Sequence, residues 1–255
     1  MRRISTTMFH SSTKCLVIAG MLALSACSHA PQSAASVEQA SQDDPLEPMN
    51  RAIFQFNQAV DTVALRPVTQ LYREVVPEKG RELVSNFVDN LNMPVSFFNS
   101  VVQLDPENSF KSFWSFFVNT AFGVGGLFDV ASEIPLKPRE TDFGHTLAIY
   151  GADAGSYLVL PLLGPSTVRD GIGRGVDIAV EPYRYFEYFQ DGADTAFTAT
   201  QVIDARSRNM TLIDDVFRTS LDPYSTFKSG YLQRRNAEIR KAIEARRASQ
   251  ERAGF

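Results

Sequence analysis

The chain has 255 residues, with 25 basic and 29 acidic side chains and a formal net charge of −4 at pH 7. Because this balance lacks a basic excess, we expect no nucleic acid among the partners. The two cysteines, Cys15 and Cys27, both lie near the amino terminus, so the rest of the chain has no disulfide and no thiol nucleophile.

An apolar run extends from Cys15 to Ala26 after three basic residues. At about 12 residues it is shorter than the ~20 needed to span a bilayer, so residues 1–26 are predicted to be a cleaved export signal. Its end, "LSAC" at 24–27, resembles the lipobox of bacterial lipoproteins. That resemblance implies a diacylglycerol and an N-acyl chain on Cys27, which together make a stable membrane anchor. Ser28 after the cysteine resembles the pattern of lipoproteins that are sent to the outer membrane.

Residues 27–43 are rich in Ala, Ser and Gln without an apolar period, which predicts a disordered tether. The folded part is expected from Asp44 onward. Its first helix presents one apolar face, formed by residues at helical spacing: Met49, Ile53, Phe56 and Val60. A second helical pattern contains Pro94, which is expected to end or kink the helix.

The stretch that begins at Asp105 is the most aromatic of the chain. Asp105 is predicted to cap a helix whose first turn contains Pro106. One face of this helix carries Phe110, Phe113, Trp114 and Phe117, while Phe116 lies off that face. A helix that is apolar nearly all round is either fully buried or in contact with lipid, and its pattern alone favours neither.

The second half of the folded part gives weaker signals. Residues 156–163, "SYLVLPLL", predict either a strand or a buried helical piece, and Pro161 argues against a central strand. Ser166 or Thr167 is expected to cap a helix. Another helix is predicted over Ala193 to Arg208, and a basic helix or tail over residues 229–255. Residues 44–228 are then one domain, and the class is mostly α.

The sequence offers little for catalysis. His145 is the only histidine of the expected folded part, which is too few for the usual zinc sites, and no G-x-S-x-G elbow is present. The spacing Gly171-x-Gly173-x-Gly175 lacks the strand and the lysine of a nucleotide site, so these glycines are expected to let a helix pack closely or bend. We expect no enzyme, no metal, no nucleotide and no other cofactor.

Five ordered stretches are similar to the MlaA family, also called VacJ, of phospholipid-handling lipoproteins of the outer membrane. The stretches are "DPLEPMNR" at 44–51, "FFVNTAFGVGGLFDVA" at 116–131, "DFGHTLAIYG" at 142–151, "YLVLPLLGPSTVRD" at 157–170 and "DPY" at 222–224. The resemblance implies a mostly α, ring-shaped domain with a central amphipathic channel, embedded in one membrane leaflet.

The function that this resemblance implies is phospholipid transport. The protein is expected at the periplasmic face of the outer membrane, anchored by lipid and associated with a trimeric porin. It is expected to remove mislocalised phospholipids from the outer leaflet and pass them to a soluble periplasmic lipid carrier, which maintains lipid asymmetry. Two alternatives remain: a structural lipoprotein that braces a porin and, with less support, a periplasmic lipid hydrolase.

Likeness to the family also suggests the site residues. The first helix, with Asn50, Gln55 and Asn57, is expected to form a channel wall. Arg169 is expected to hold a phosphate with two hydrogen bonds, next to Asp170, although an Arg–Asp pair that braces a turn is the equal alternative.

The family likeness favours a membrane-facing role for five aromatic residues: Phe110, Phe113, Trp114, Phe116 and Phe117. It also makes residues 131–146 the counterpart of a mobile hairpin beside the pore, with a passive surface loop as the alternative. The basic C-terminal helix is expected to be either a solvated charged face or a docking surface for the lipid carrier.

Overall fold

The computed structural model describes residues 45–181 and 192–254. The helices of the first half are α1 (Glu47–Val60), α2 (Arg66–Val75), α3 (Glu78–Val102) and α4 (Pro106–Phe122). Those of the second half are α5 (Phe143–Ile149), α6 (Val168–Val180), α7 (Ala193–Arg208), α8 (Met210–Thr219) and α9 (Pro223–Ala253). The prediction of a mostly α class is therefore confirmed, and so is the predicted span of α7.

Short irregular elements connect these helices. A π-helical stretch, Asp61–Leu65, joins α1 to α2, and a 3-10 turn at Ala131–Glu133 follows α4. Strands β1 (Tyr157–Leu160) and β2 (Gly164–Thr167) form an antiparallel hairpin, in which Leu160 lies opposite Gly164. The "SYLVLPLL" segment is thus a strand followed by a turn.

Helices α3 and α4 are joined by only three residues. The predicted cap is confirmed, because the Asp105 side chain accepts a hydrogen bond from the backbone N–H of Asn108 at 3.1 Å. Helix α3 does not end at Pro94 but continues to Val102. The cap of α6 is Thr167, whose hydroxyl accepts a hydrogen bond from Asp170 N at 3.2 Å.

The apolar core lies around the β-hairpin. Tyr157 and Val159 of β1 are buried against Tyr224 of α9, with Ile53 and Phe54 of α1 packed on them. A smaller cluster joins Val88 of α3 to Phe197 of α7. Across the described residues, buried polar side chains nevertheless outnumber buried apolar ones.

Helices α5 and α6 cross at a pair of glycines. A Cβ at Gly173 would lie 2.3 Å from the backbone nitrogen of Gly144, so no side chain fits there without moving the backbone. A Cβ at Gly175, in contrast, would meet nothing within 4 Å. The expectation that these glycines allow close helix packing is thus confirmed at Gly173.

Helix α9 is longer than predicted. It begins at Pro223, capped by Asp222, so the boundary expected at 228/229 falls inside one continuous helix. Along its length Tyr224, Lys228, Ala242 and Ser249 are buried, so the C-terminal segment packs against the rest of the described fold. In residues 45–181 and 192–254, none of the helices combines the length and the apolar character that crossing a membrane requires.

Candidate functional site

Helix α4 presents its aromatic side chains outward. Phe110 is 57% exposed and Trp114 is 38% exposed, and Phe113 and Phe117 lie beside them on the same side. We call these four residues the aromatic face; their rings contact one another at centroid distances of 5.5 to 6.0 Å. Phe116, off this face as predicted, is half-buried.

The opposite side of α4 is polar and buried. It consists of four small polar residues at helical spacing, which we call the polar stripe: Asn108, Ser112, Ser115 and Asn119. A helix that buries its polar side and exposes its aromatic side reverses the arrangement of a water-soluble protein. Its natural surrounding is apolar, either lipid or the surface of another protein.

The polar stripe holds the loop that follows α4. The amide of Asn108 donates to the carbonyl of Arg139 at 3.0 Å and accepts from its N–H at 2.8 Å. Ser115 donates to the carbonyl of Leu136 at 2.8 Å, and the amide of Asn119 bonds to Asp129 and to the N–H of Ala131. These contacts fix much of the segment that was expected to be a mobile hairpin, so they favour a passive surface loop.

Neighbouring helices extend the exposed apolar surface. Phe97 of α3 packs on Phe113 at 5.8 Å between ring centroids and is itself exposed. Other exposed apolar side chains between α1 and α3 are Met49, Phe56, Val63, Leu71, Val75, Phe98 and Val101. This many exposed apolar side chains indicate contact with a membrane or a partner protein.

Two asparagines of α1 bind the backbone of the β-hairpin. Asn50 is fully buried: its amide donates to the carbonyl of Tyr157 and accepts from the N–H of Val159, both at 2.9 Å. Asn57 repeats this pattern at Leu160 and Leu162, at 2.9 and 2.8 Å. In this structure both side chains therefore brace β1, and Asn50 has no surface to offer a lipid. Gln55, by contrast, is exposed.

Arg169 and Asp170 belong to a buried charge network. Arg169 Nε donates to Asp170 Oδ1 at 3.1 Å, and Asp170 also accepts from Tyr231 at 2.7 Å and from Arg235 at 3.0 Å. Burial favours a higher pKa for Asp170, but hydrogen bonds from these groups outweigh it and hold the pKa below the usual value. The geometry matches the bracing alternative, because these partners connect α6 to α9.

Arg235 of α9 lies at the centre of this network. Its guanidinium donates two 2.7 Å hydrogen bonds to the carboxylate of Asp142 and contacts Asp170 and His145. We call these four residues the arginine node. Despite burial, hydrogen bonds from His145 and Arg235 keep the pKa of Asp142 well below its ordinary value. The node ties α9 to α5 and α6.

The node also accounts for His145, which is buried beside Arg235. The titratable groups around it are Asp142 at 3.1 Å, Glu238 at 4.0 Å and Arg235 at 3.0 Å, which form an ion-pair cluster. Among the described residues, no group of histidines, cysteines and carboxylates is placed to hold a metal ion. Cys27, with the signal and the tether, lies outside the described residues.

The sequence profile of the MlaA lipoprotein family matches residues 42–238. The chain belongs to the MlaA lipoprotein family. The resemblance seen in the five stretches is thereby confirmed. Two of these stretches meet in space, because Arg51 of the first pairs with Asp222 of the last through two hydrogen bonds of 3.1 and 2.7 Å.

Several relatives share about a third of their residues with this chain. The intermembrane phospholipid transport system lipoprotein MlaA of Haemophilus influenzae is 34% identical over 195 residues, 75% of this chain and 77% of the relative. The protein with the same name in Escherichia coli is 34% identical over 206 residues, 79% and 80% of the two chains. A Rickettsia bellii protein is 37% identical over 197 residues, 77% of this chain and 76% of its own.

A solved structure supports the MlaA fold directly. A chain from work on the structural basis for maintenance of bacterial outer membrane lipid asymmetry superposes with a TM-score of 0.67 at 35% identity. The match covers 78% of this chain and 100% of the solved chain. The fold described above is therefore that of an MlaA lipoprotein.

Two features of this MlaA chain escaped the sequence reasoning. The polar stripe is recognisable in the sequence as small polar residues at positions i, i+4, i+7 and i+11 of the aromatic helix, a signal that the aromatic pattern alone does not contain. Arg235 is one of several basic residues near the end of the chain. No local pattern distinguishes it, because its partners lie about 65 and 90 residues earlier.

Proposed function

We propose that this protein is an outer-membrane lipoprotein that removes mislocalised phospholipids from the outer leaflet and passes them to a soluble periplasmic carrier. Its work would maintain the lipid asymmetry of the outer membrane. The observation that carries this proposal is the reversed polarity of α4, with the aromatic face outside and the polar stripe inside. The names of the MlaA relatives, which are phospholipid transport lipoproteins, support the same interpretation.

The reversed helix suits a protein that lies within one leaflet. An exposed aromatic surface is stable against acyl chains, whereas a charged headgroup in hydrocarbon costs several kcal/mol. A lipid that leaves the leaflet therefore needs a polar path beside an apolar one. We infer a ring of helices around an amphipathic channel, with Gln55 as the exposed polar candidate of α1. Asn50, Asn57, Arg169 and Asp170 would keep the channel wall in shape through their buried hydrogen bonds.

The proposal places lipid on Cys27. A diacylglycerol and an N-acyl chain would hold the protein at the periplasmic face of the outer membrane, and residues 28–43 would connect this anchor to the fold. A trimeric porin is the proposed partner within the membrane. The soluble lipid carrier is the proposed partner on the periplasmic side, where the charges of α9 would guide its approach.

The test is a transfer assay with the full-length lipidated protein and a trimeric porin in liposomes that contain a fluorescent phospholipid. We expect the label to move to an added periplasmic carrier, and to move more slowly from liposomes that hold the porin alone. Equal transfer with and without the lipoprotein would overturn the proposal. A Cys27→Ala variant, which should remain an unlipidated precursor and no longer fractionate with the outer membrane, controls for the anchor.

The same assay separates the alternatives. Stable association with the porin without lipid transfer would favour the structural lipoprotein. Release of lysolipid and free fatty acid, measured by mass spectrometry, would favour a hydrolase. Intact phospholipid delivered to the carrier is the result that the transport proposal expects.

A further inference from the structure

A charged pocket lies where the start of α4, the loop before α5 and the end of α9 meet. Its volume is about 190 Å³, the space of roughly six liquid waters at about 30 Å³ each. We call it the basic pocket, and its charged lining consists of Asp105, Glu107, Lys111, Lys137, Arg139 and Arg252. Four cations thus face two carboxylates.

Both carboxylates are held in their charged form. Burial acts to raise the pKa of Asp105, but a 2.8 Å hydrogen bond from Arg139 and other contacts bring it below its ordinary value. The pKa of Glu107 is lowered first by the 2.7 Å hydrogen bond from Lys111, and its other oxygen pairs with Arg252. At neutral pH the pocket therefore keeps an excess of positive charge.

Part of this positive charge is uncompensated. Within residues 45–181 and 192–254, Lys137 has no ion-pair or hydrogen-bond partner, and the buried Nε of Arg139 has none either. A buried donor without an acceptor destabilises the fold, so a ligand that supplies an oxygen at this point would recover that loss. The pocket thus offers free donors and free charge to an anion.

We propose that the basic pocket binds a phosphate group. Lysine and arginine side chains recognise phosphate through charge-assisted hydrogen bonds, and both kinds line this pocket. No part of this assignment requires lipid transport. It rests on the net charge, the volume and the unpartnered donors of the pocket.

The position of the pocket indicates a source for that phosphate. Glu107, Lys111 and Trp114 follow one another at i, i+4 and i+7, so the pocket lies on α4 next to the aromatic face. Tryptophan and lysine side chains both act as anchors at the level where acyl chains meet headgroups. If α4 contacts lipid as proposed, the phosphate is that of a phospholipid in the surrounding leaflet. By binding this headgroup, the pocket would fix how deeply the protein lies in the leaflet. A soluble phosphate compound is the second source.

The test measures phosphate binding by the full-length protein, purified in an uncharged detergent, with inorganic phosphate as the probe. We expect saturable binding in titration calorimetry. Lys137→Gln should weaken it about tenfold without lowering the unfolding temperature, because Lys137 has no partner to lose. Glu107→Gln should tighten it, because one competing negative charge disappears. Lys79→Gln, a change at an exposed lysine on α3, is the control and should leave the affinity unchanged.

Two results would overturn the proposal: no saturable phosphate binding, or the same affinity for Lys137→Gln and Lys79→Gln. Short-chain phosphatidylglycerol added as a competitor then separates the sources. Displacement of phosphate by this lipid assigns the pocket to a headgroup. Phosphate binding without displacement assigns it to a soluble phosphate compound. Since neither measurement involves transfer, failure of the transport proposal would leave their outcome unchanged.

Discussion

Around the β-hairpin, the aromatic residues lie inside: Tyr157 and Tyr224 are buried with Val159, and their rings meet edge to face at 6.1 Å. In α4 the aromatic residues lie outside, and asparagine and serine side chains are buried instead. We call the first the conventional region, formed by the β-hairpin, the first half of α9 and the side of α1 that carries Ile53 and Phe54. The second, α3 with α4, is the inverted region.

The difference shows where each region finds its stability. The conventional region gains it from apolar area removed from water, at about 25 cal/mol per Å². The inverted region buries polar side chains, which stabilise a fold only when their hydrogen bonds are complete. Asn108, Ser115 and Asn119 meet this condition through the backbone of the loop after α4. The hydroxyl of Ser112, the fourth residue of the polar stripe, has no partner among the described residues. Their aromatic neighbours contribute only when something apolar covers them.

The arginine node should contribute most to stability, because its buried charges tie α9 of the conventional region to α5 and α6. Arg235→Ala leaves the carboxylates of Asp142 and Asp170 without their shared cation, and we expect a loss of about 3–5 kcal/mol in unfolding free energy. Urea unfolding in mild detergent, followed by circular dichroism, measures this loss.

The matched control for this variant is the adjacent residue. Arg235 is 11% exposed, whereas Arg234 is 73% exposed and pairs only with Glu238 in the described structure. Arg234→Ala should change the unfolding free energy by less than about 0.5 kcal/mol. Equal effects of the two variants would contradict the role given to the node.

The next largest effect on stability is expected at the glycines where α5 and α6 cross. Gly173→Ala would place a Cβ 2.3 Å from the backbone nitrogen of Gly144, so we expect a loss of about 3 kcal/mol. Gly175→Ala on the same helix meets nothing within 4 Å and should stabilise by up to about 1 kcal/mol through helix propensity. Thermal unfolding of both variants checks the opposite signs; two shifts of the same sign would refute the close crossing.

Asn50 tests whether buried amides act as structural braces in the conventional region as well. Asn50→Ala leaves the carbonyl of Tyr157 and the N–H of Val159 without partners in a buried place, at a cost of about 2 kcal/mol. Asn57→Ala should cost less, because water can reach the backbone groups near Leu162. Chemical unfolding measures both changes, and a larger loss of unfolding free energy for Asn57→Ala than for Asn50→Ala would contradict this order.

Acid provides the smallest and most local test. Because the pKa of Asp142 is lower in the folded protein, its contribution to stability is complete above its unfolded pKa of about 3.9 and is lost as the pH falls further. More than a third of the Asp142 side chain is exposed, so screening by solvent keeps the effect modest. Melting temperatures from pH 6 to pH 3 should fall more steeply for the native protein than for Asp142→Asn. Parallel curves for the two proteins would show that Asp142 does not contribute to the loss of stability in acid.

The sequence predicted local features better than distant ones. Asp105 and Thr167 were recognisable as caps, and α7 was placed at its observed ends, because these signals lie within a few residues of one another. The segment "SYLVLPLL" stayed ambiguous between strand and helix, since short apolar runs suit both.

The candidate site was harder to predict. The pattern of α4 left burial and lipid contact equally open, and only the structure shows which side is exposed. The bracing contacts of Asn50 and Asp170 depend on partners far along the chain, such as Tyr157 and Arg235. Family likeness identified these residues as important without showing that they are buried.

The most direct test of the inverted region uses Trp114, the only tryptophan of the chain. The lipidated protein is placed in bilayers whose phospholipids carry bromine on their acyl chains, and tryptophan fluorescence is compared with that in unbrominated bilayers. If the aromatic face lies in the leaflet, bromine quenches the emission of Trp114 and aqueous iodide does not. Strong quenching by iodide, with no effect of bromine, would place Trp114 in water and contradict the proposed membrane contact.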